Sequence, residues 1–232
     1  MGTAMLTETS PRRKARIAGV FYLLTFLMAG VSSVAGGGIA ATGNNMLAHQ
    51  SLFRLGFAAD LIVVACYIAV TALFYELFRP VNRSLSLLAA FFSLVGCAIQ
   101  AFICLFHLVP LVVLGGAKYL SVFKVEQLRA LAFLFLDCYG QGFSIALVFF
   151  GFYCLLIGYL ILWSTFLPRL LGVLMAFAGL AWLTSLSPPF ANYLSPYNLA
   201  VGALAELTLT LWLLVMGVNA QRWKEQAGAP RE

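Results

Sequence analysis

Phe53-Arg54-Leu55-Gly56-Phe57-Ala58-Ala59-Asp60 opens a stretch that continues through an unbroken apolar run and ends on Tyr75-Glu76-Leu77-Phe78-Arg79-Pro80-Val81-Asn82-Arg83. The run is long enough to cross a bilayer as one helix. It carries an acid in one half and a knot of charge at the other end. Pro80 cannot continue a helix, and Asn82 or Ser84 can cap the next one. The turn from Arg79 to Ser84 is therefore tight, and the chain must re-enter the membrane directly.

Working outward, the same pattern repeats. The chain is 62% hydrophobic and only 9% charged over 232 residues, against roughly 25% charged in soluble domains. Its apolar runs are continuous and do not alternate with period 2, which excludes a β-barrel reading. The expected fold is an all-α polytopic transmembrane bundle of six spans. These are Ile17 to Ala35, Phe53 to Phe78, Leu85 to Leu114, Leu128 to Trp163, Arg169 to Ser185 and Leu199 to Ala220. The basic start and Ser33-Val34-Ala35 also suit a cleaved signal peptide. The first run is long for a signal core, however, and everything after it is membrane-embedded, so a first span is the better reading. Residues 1–16 then form a basic segment, 17–220 one transmembrane domain, and 221–232 a polar tail.

The fourth run is the awkward one. As a helix, Leu128 to Trp163 spans about 54 Å, against a hydrocarbon core of about 30 Å. Either it tilts and projects, or Val122 to Phe135 lies along the surface and bends inward near Gly140 and Gly142. The second is the expectation. Gly115 to Gln127 reads as an amphipathic linker, and Leu186 to Asn198 as a Pro- and Tyr-rich loop. Pro110 should loosen the end of the third span. Gly172, Ala176 and Gly179 give the fifth a small-residue face for close packing. Arg83-Ser-Leu-Ser-Leu-Leu-Ala-Ala-Phe-Phe and Arg169-Leu-Leu-Gly-Val-Leu-Met-Ala-Phe-Ala align in register; a duplicated hairpin of spans two-three and four-five would produce this, and so would chance likeness between apolar helices.

Six spans put both termini on one side. That side holds Arg12, Arg13, Lys14, Arg16, Arg79, Arg83, Arg169, Arg222, Lys224 and Arg231, whereas the other holds Arg54, Lys118, Lys124 and Arg129. The positive-inside rule makes the first side cytoplasmic. The net charge of +6 reflects this topology and contact with membrane lipid, not nucleic-acid binding.

Polar residues inside the spans carry the functional information, because a charge at mid-depth costs at least about 2.5 kcal/mol. They fall at helical spacing: Asp60, Tyr67 and Thr71 in the second span; Ser93, Cys97, Gln100, Cys104 and His107 in the third; Asp137, Gln141 and Ser144 in the fourth; Glu206 and Thr210 in the sixth. Spans one and five carry little, which places them at the periphery. Asp60 sits about 10 Å from the outer end of its span, and His107 and Glu206 about 12 Å. The expectation is an outward-facing acidic pocket of Asp60, Tyr67, Gln100, His107, Asp137, Gln141 and Glu206, with Arg54 and Arg129 at its rim. Such a pocket would take a small ion, a proton, or a hydrophobic or cationic amphiphile. Alternatively, a buried carboxyl acts as general acid or base on a lipid-like substrate, or the polar groups only tie helices together. Glu76, Arg79 and Arg83, at i, i+3 and i+7, read as a structural anchor at the inner interface.

Cofactor chemistries find no footing. There are two histidines, so facing haem ligands and a di-iron site are missing. No phosphate loop, nucleophile elbow or Asp-Asp-x-x-Asp motif occurs. A zinc on Asp60, His107, Asp137 and Glu206 would be unusually oxygen-rich, so no metal and no cofactor are expected. The five cysteines lie in apolar runs and read as small buried residues. The oligomeric state is left open.

Arg54-Leu-Gly-Phe-Ala-Ala-Asp60, with Tyr75-Glu76-Leu-Phe-Arg79-Pro-Val-Asn-Arg83, resembles a bacterial membrane family catalogued as domain of unknown function 4386. Phe135-Leu-Asp137, Gly142-Phe143, Gly158-Tyr-Leu, Leu167-Pro-Arg169 and Gly202-Ala-Leu-Ala-Glu206 extend the likeness from Ala15 to Val218. The family pattern often has His where this chain has Tyr139, which weakens a metal or proton-relay role at that position. The resemblance implies a multi-span inner-membrane protein and adds no activity.

Overall fold

A computed structural model describes residues 10–35 and 49–228. Most of the first inter-span loop, the first residues of the chain and Arg231 lie outside the described residues. The elements are α1 (Pro11–Ser33), α2 (Gln50–Phe78), α3 (Arg83–Leu114), α4 (Val125–Trp163), α5 (Arg169–Leu183), a short α6 (Pro188–Leu194), α7 (Tyr197–Val215) and α8 (Ala220–Gly228). Six of them, α1 to α5 and α7, are long and apolar enough to cross a membrane. Among the described residues there is no strand. The protein is an all-α, multi-span membrane bundle.

The spans form a ring. Each packs on the next in sequence, and α7 returns to α1. Side chains such as Tyr22, Tyr153, Phe74 and Met175 fill the inside and are almost wholly buried. Large apolar residues such as Phe91, Phe102, Leu105, Phe177 and Leu204 are exposed on the outside. That inversion suits a molecule whose solvent is hydrocarbon.

Local sequence explains the ends of the helices. Pro11 occupies the first turn of α1, and the Ser10 side chain accepts from the Arg13 amide at 3.3 Å. The basic cluster Arg12 to Arg16 is thus helical, where a polar lead-in was expected. Asn82 Oδ1 caps α3 by accepting from Leu85 N at 2.9 Å. Pro110 lies inside α3, and the helix continues past it to Leu114. The helix α5 stops at Leu183, where Thr184 Oγ1 turns back to Ala181 O at 2.6 Å and Asn198 donates to that hydroxyl at 3.0 Å. Part of the expected Pro- and Tyr-rich loop is the helix α6.

The expected bend in the fourth span is overturned. The helix α4 is unbroken for 39 residues, about 58 Å. It does not need to fold onto the surface, because α3 runs antiparallel beside it for 32 residues. Phe92 stacks on Phe152 at 5.1 Å, Gly96 admits the Phe150 ring, and Phe106 meets Phe135 at 5.9 Å. The pairing therefore continues in nearly constant register past Gly140 and Gly142.

On its other side α4 meets α5 backbone to backbone. A Cβ added at Gly158 would stand 2.8 Å from Gly172 O, and one at Gly179 would stand 2.8 Å from Gly151 O. The small-residue face of α5 is used as expected, against a glycine pair on α4 that the expectation did not include.

The end of the bundle that holds both chain ends is tied by polar bonds. Lys14 Nζ pairs with Glu76 Oε2 at 2.9 Å, so the anchor carboxylate takes its direct partner from α1. Arg79 and Arg83, expected as its partners, are exposed. The tail is not loose where it is described. Gly217, at φ 68°, turns the chain, and Asn219 Oδ1 caps α8 by accepting from Arg222 N at 3.1 Å. Trp223 Nε1 then donates to Leu77 O at 2.8 Å and Gln226 Nε2 to Trp163 O at 3.2 Å, while Arg16 donates to Val215 O at 3.0 Å. These carbonyls end α2, α4 and α7, where no intrahelical donor remains.

Candidate functional site

Asp60 on α2 and His107 on α3 are both 4% exposed. Asp60 Oδ2 accepts from His107 Nδ1 at 3.0 Å and from the Tyr139 hydroxyl of α4 at 3.0 Å. Both donors converge on one oxygen. Phe53 packs edge-on against the His107 ring at 4.5 Å, and Tyr139 does so at 5.3 Å. Gly56 lets that ring close on α2: a Cβ there would lie 3.5 Å from the imidazole. His107 Nε2 is buried without a partner among the described residues.

This three-residue unit forms one wall of a cavity of about 520 Å³. The other walls include Ala29, Ser32 and Ser33 of α1, Val63 of α2, Gln100 of α3, and Phe133, Asp137 and Phe143 of α4. All the described lining residues belong to the first four spans. The helix α5 ends early, so at this end the ring lacks one of its staves.

Glu206 on α7 belongs to a different cluster. Its Oε2 accepts from the hydroxyls of Tyr22 and, at 3.4 Å, Tyr67. Its Oε1 accepts from Trp182 Nε1 at 2.5 Å and faces Cys154 Sγ at 3.6 Å. One carboxylate thus joins α1, α2, α4, α5 and α7. Spans one and five, expected at the periphery, supply Tyr22 and Trp182 to this centre. They looked polar-poor because a tyrosine or tryptophan counts as apolar bulk until its one polar atom finds an acceptor.

The other expected site residues are divided. Gln100 lines the Asp60 cavity, and Asp137 does so from an exposed position on α4. Tyr67 joins Glu206 instead. Gln141 is exposed and does not line the cavity, and Ser144 bonds its own helix at Gly140 O. The inward line of α4 is Tyr139, Phe143, Leu147 and Phe150, with Asp137 and Gln141 on its flank. Arg54 lines a separate groove with Phe57, Leu108 and Leu111, Arg129 is exposed, and neither is among the described lining residues of the cavity. Thr71 and Ser93 bond each other at 2.6 Å and tie α2 to α3. Among the described residues no three His, Cys, Asp or Glu side chains converge as a metal site requires. The four-residue zinc set is not assembled, since Glu206 is turned to its own donors.

Tyr139 was named only as a departure from the family pattern. It is the residue that completes the Asp60 unit, and its spacing of two from Asp137 had placed it off the polar stripe.

The fold and the sites define a multi-span helical membrane protein with two separate buried acids. The chain belongs to the family described as Domain of unknown function (DUF4386), whose model matches residues 17–217. It is also similar to an Archaeoglobus fulgidus protein described as an uncharacterized protein, at 23% identity over 159 residues, 67% of this chain and 80% of that one. That relative is archaeal, whereas the resemblance had implied a bacterial family. No solved structure matches.

Proposed function

We propose that the protein is a binding or transport module of the cytoplasmic (inner) membrane, with its outward-facing cavity taking a small cation or cationic amphiphile. The observation that carries this reading is Asp60. It is buried beside about 520 Å³ of space, with a second acid, Asp137, lining the same cavity and Phe53, Phe133, Tyr139 and Phe143 around them. No lysine or arginine is among the described lining residues. Carboxylate with aromatic faces is the chemistry that holds an organic ammonium. The distribution of lysine and arginine supports the orientation, with the tied end in the cytoplasm and the cavity facing out.

The hydrogen-bonded Tyr139–Asp60–His107 unit favours a second reading. Asp60 or His107 would act as general acid or base on a lipid-like substrate. Glu206 fits neither role, since every donor around it is already used to join helices.

Calorimetric titration with tetramethylammonium, on protein in lipid nanodiscs, separates these readings. Saturable binding that weakens by about tenfold or more in Asp60→Asn supports the binding module. Absence of saturable binding to the folded wild type contradicts it.

A further inference from the structure

A second, narrower chamber of about 160 Å³ lies deeper in the bundle. Thr25, Phe26, Tyr67, Leu147, Phe150, Trp182 and Glu206 bound it, and all six spans contribute. Ala29, Val63, Gln100 and Phe143 line both this chamber and the Asp60 cavity. Four shared wall residues, one from each of α1 to α4, make the two chambers neighbours, and their shared boundary is termed the throat.

The two chambers differ in chemistry. The outer one holds the acids Asp60 and Asp137. The inner one is walled by Phe26, Val63, Phe143, Leu147 and Phe150, and the oxygens of Glu206 at its floor are taken up by Tyr22, Tyr67, Cys154 and Trp182. Its floor therefore has little left to offer a polar ligand. At the throat stands Gln100. It is 8% exposed and lines both chambers. Its remaining exposure opens onto the two chambers it lines.

We infer that the two chambers are one elongated site for a single-chain cationic amphiphile, with the ammonium head beside Asp60 and Asp137 and a short alkyl tail passing Gln100 into the arm that ends at Trp182. This rests on the proposed cation-binding reading and adds the tail. The arm has the volume of about five water-sized groups, at about 30 Å³ each, so it accommodates a tail of about that many carbons. Gln100 would meet whatever polar atom links head to tail.

The test is a series of alkyltrimethylammonium ions, from tetramethyl to hexyltrimethyl, titrated into the protein in nanodiscs. The comparison is wild type against Leu147→Phe and Leu147→Trp, at a residue that lines only the inner arm. Each variant is first checked for an unchanged melting temperature, and Leu147→Phe serves if Leu147→Trp does not fold. Partitioning of the longer ions into lipid is common to all three proteins and cancels in the ratio of affinities.

Wild-type affinity should rise about fourfold per added methylene and level off after about five carbons. The arm-filling variants should bind tetramethylammonium as wild type does and lose the rise. If tetramethylammonium binds but the wild-type series is flat, the tail inference falls and the head site stands. A rise that persists equally in both variants places the tail elsewhere and also overturns the inference. Binding of no member of the series overturns both readings together.

Discussion

Asp60 and Glu206 are both buried acids, 4% and 6% exposed, yet their surroundings assign them different work. Glu206 has donors on both oxygens from four other spans. Replacing it by Gln puts an amide N–H where Tyr22 or Trp182 already donates, which leaves buried donors unsatisfied at about 1–3 kcal/mol each. Glu206→Gln should lower the melting temperature by about 5–10 °C, and Tyr22→Phe by a smaller amount, both read by thermal unfolding in detergent. Asp60 takes two donors on one oxygen and borders open space. The formal charges made both acids legible in the sequence, and spacing alone identified the buried faces of α2 and α3. Their partners were not legible. Tyr22, Tyr139, Cys154 and Trp182 carry no charge, and nothing in a single sequence says which polar atom on an aromatic ring or thiol will meet an acceptor from a helix far along the chain.

At the level of elements, α4 decides the architecture. Its length suggested a bend because the expectation compared it with the bilayer alone. The physical comparison was with α3, whose 32 residues can pair with most of the 39 of α4. Glycines on α4 have opposite consequences depending on what they face. Gly158 lies against the backbone of α5, where an added Cβ would be 2.8 Å from Gly172 O and 2.9 Å from Ala176 N. Backbone atoms cannot rotate away, so Gly158→Leu must force the helices apart. It should lose the monodisperse peak in size-exclusion chromatography or lower the melting temperature by more than about 10 °C. Gly140 has nothing within 4 Å of an added Cβ. Gly140→Ala should be neutral or stabilising by up to about 1 kcal/mol, the helix-propensity difference. If Gly158→Leu folds as well as Gly140→Ala, the α4–α5 packing is wrong.

Across the whole molecule, the two ends of the ring are built differently. One end is tied together by α8, by Lys14 on Glu76, and by side chains that satisfy terminal carbonyls. The other holds the cavity. The six spans and their order were legible, because apolar length and cation placement are local properties. The inner chamber was not, because it exists only where α5 stops short and six spans meet. Sidedness has a direct test in whole cells. A cysteine introduced at Ser84, in the exposed first turn of α3, should resist a membrane-impermeant maleimide, and one at Ser121, between α3 and α4, should react, each against a background lacking the native cysteines. The reverse pattern would invert the orientation and turn the cavity toward the cytoplasm.

The separation of Asp60 from Glu206 into ligand contact and helix tie is tested most directly by measuring both properties on both variants. Tetramethylammonium affinity and melting temperature would be determined for Asp60→Asn and Glu206→Gln in the same nanodiscs. The expected result is crossed. Asp60→Asn loses about tenfold or more in affinity and keeps its melting temperature within about 2 °C. Glu206→Gln melts about 5–10 °C lower, and at a temperature where it is fully folded it still binds tetramethylammonium. An Asp60→Asn protein that binds like wild type, or that loses binding only as far as it loses stability, would contradict the assignment.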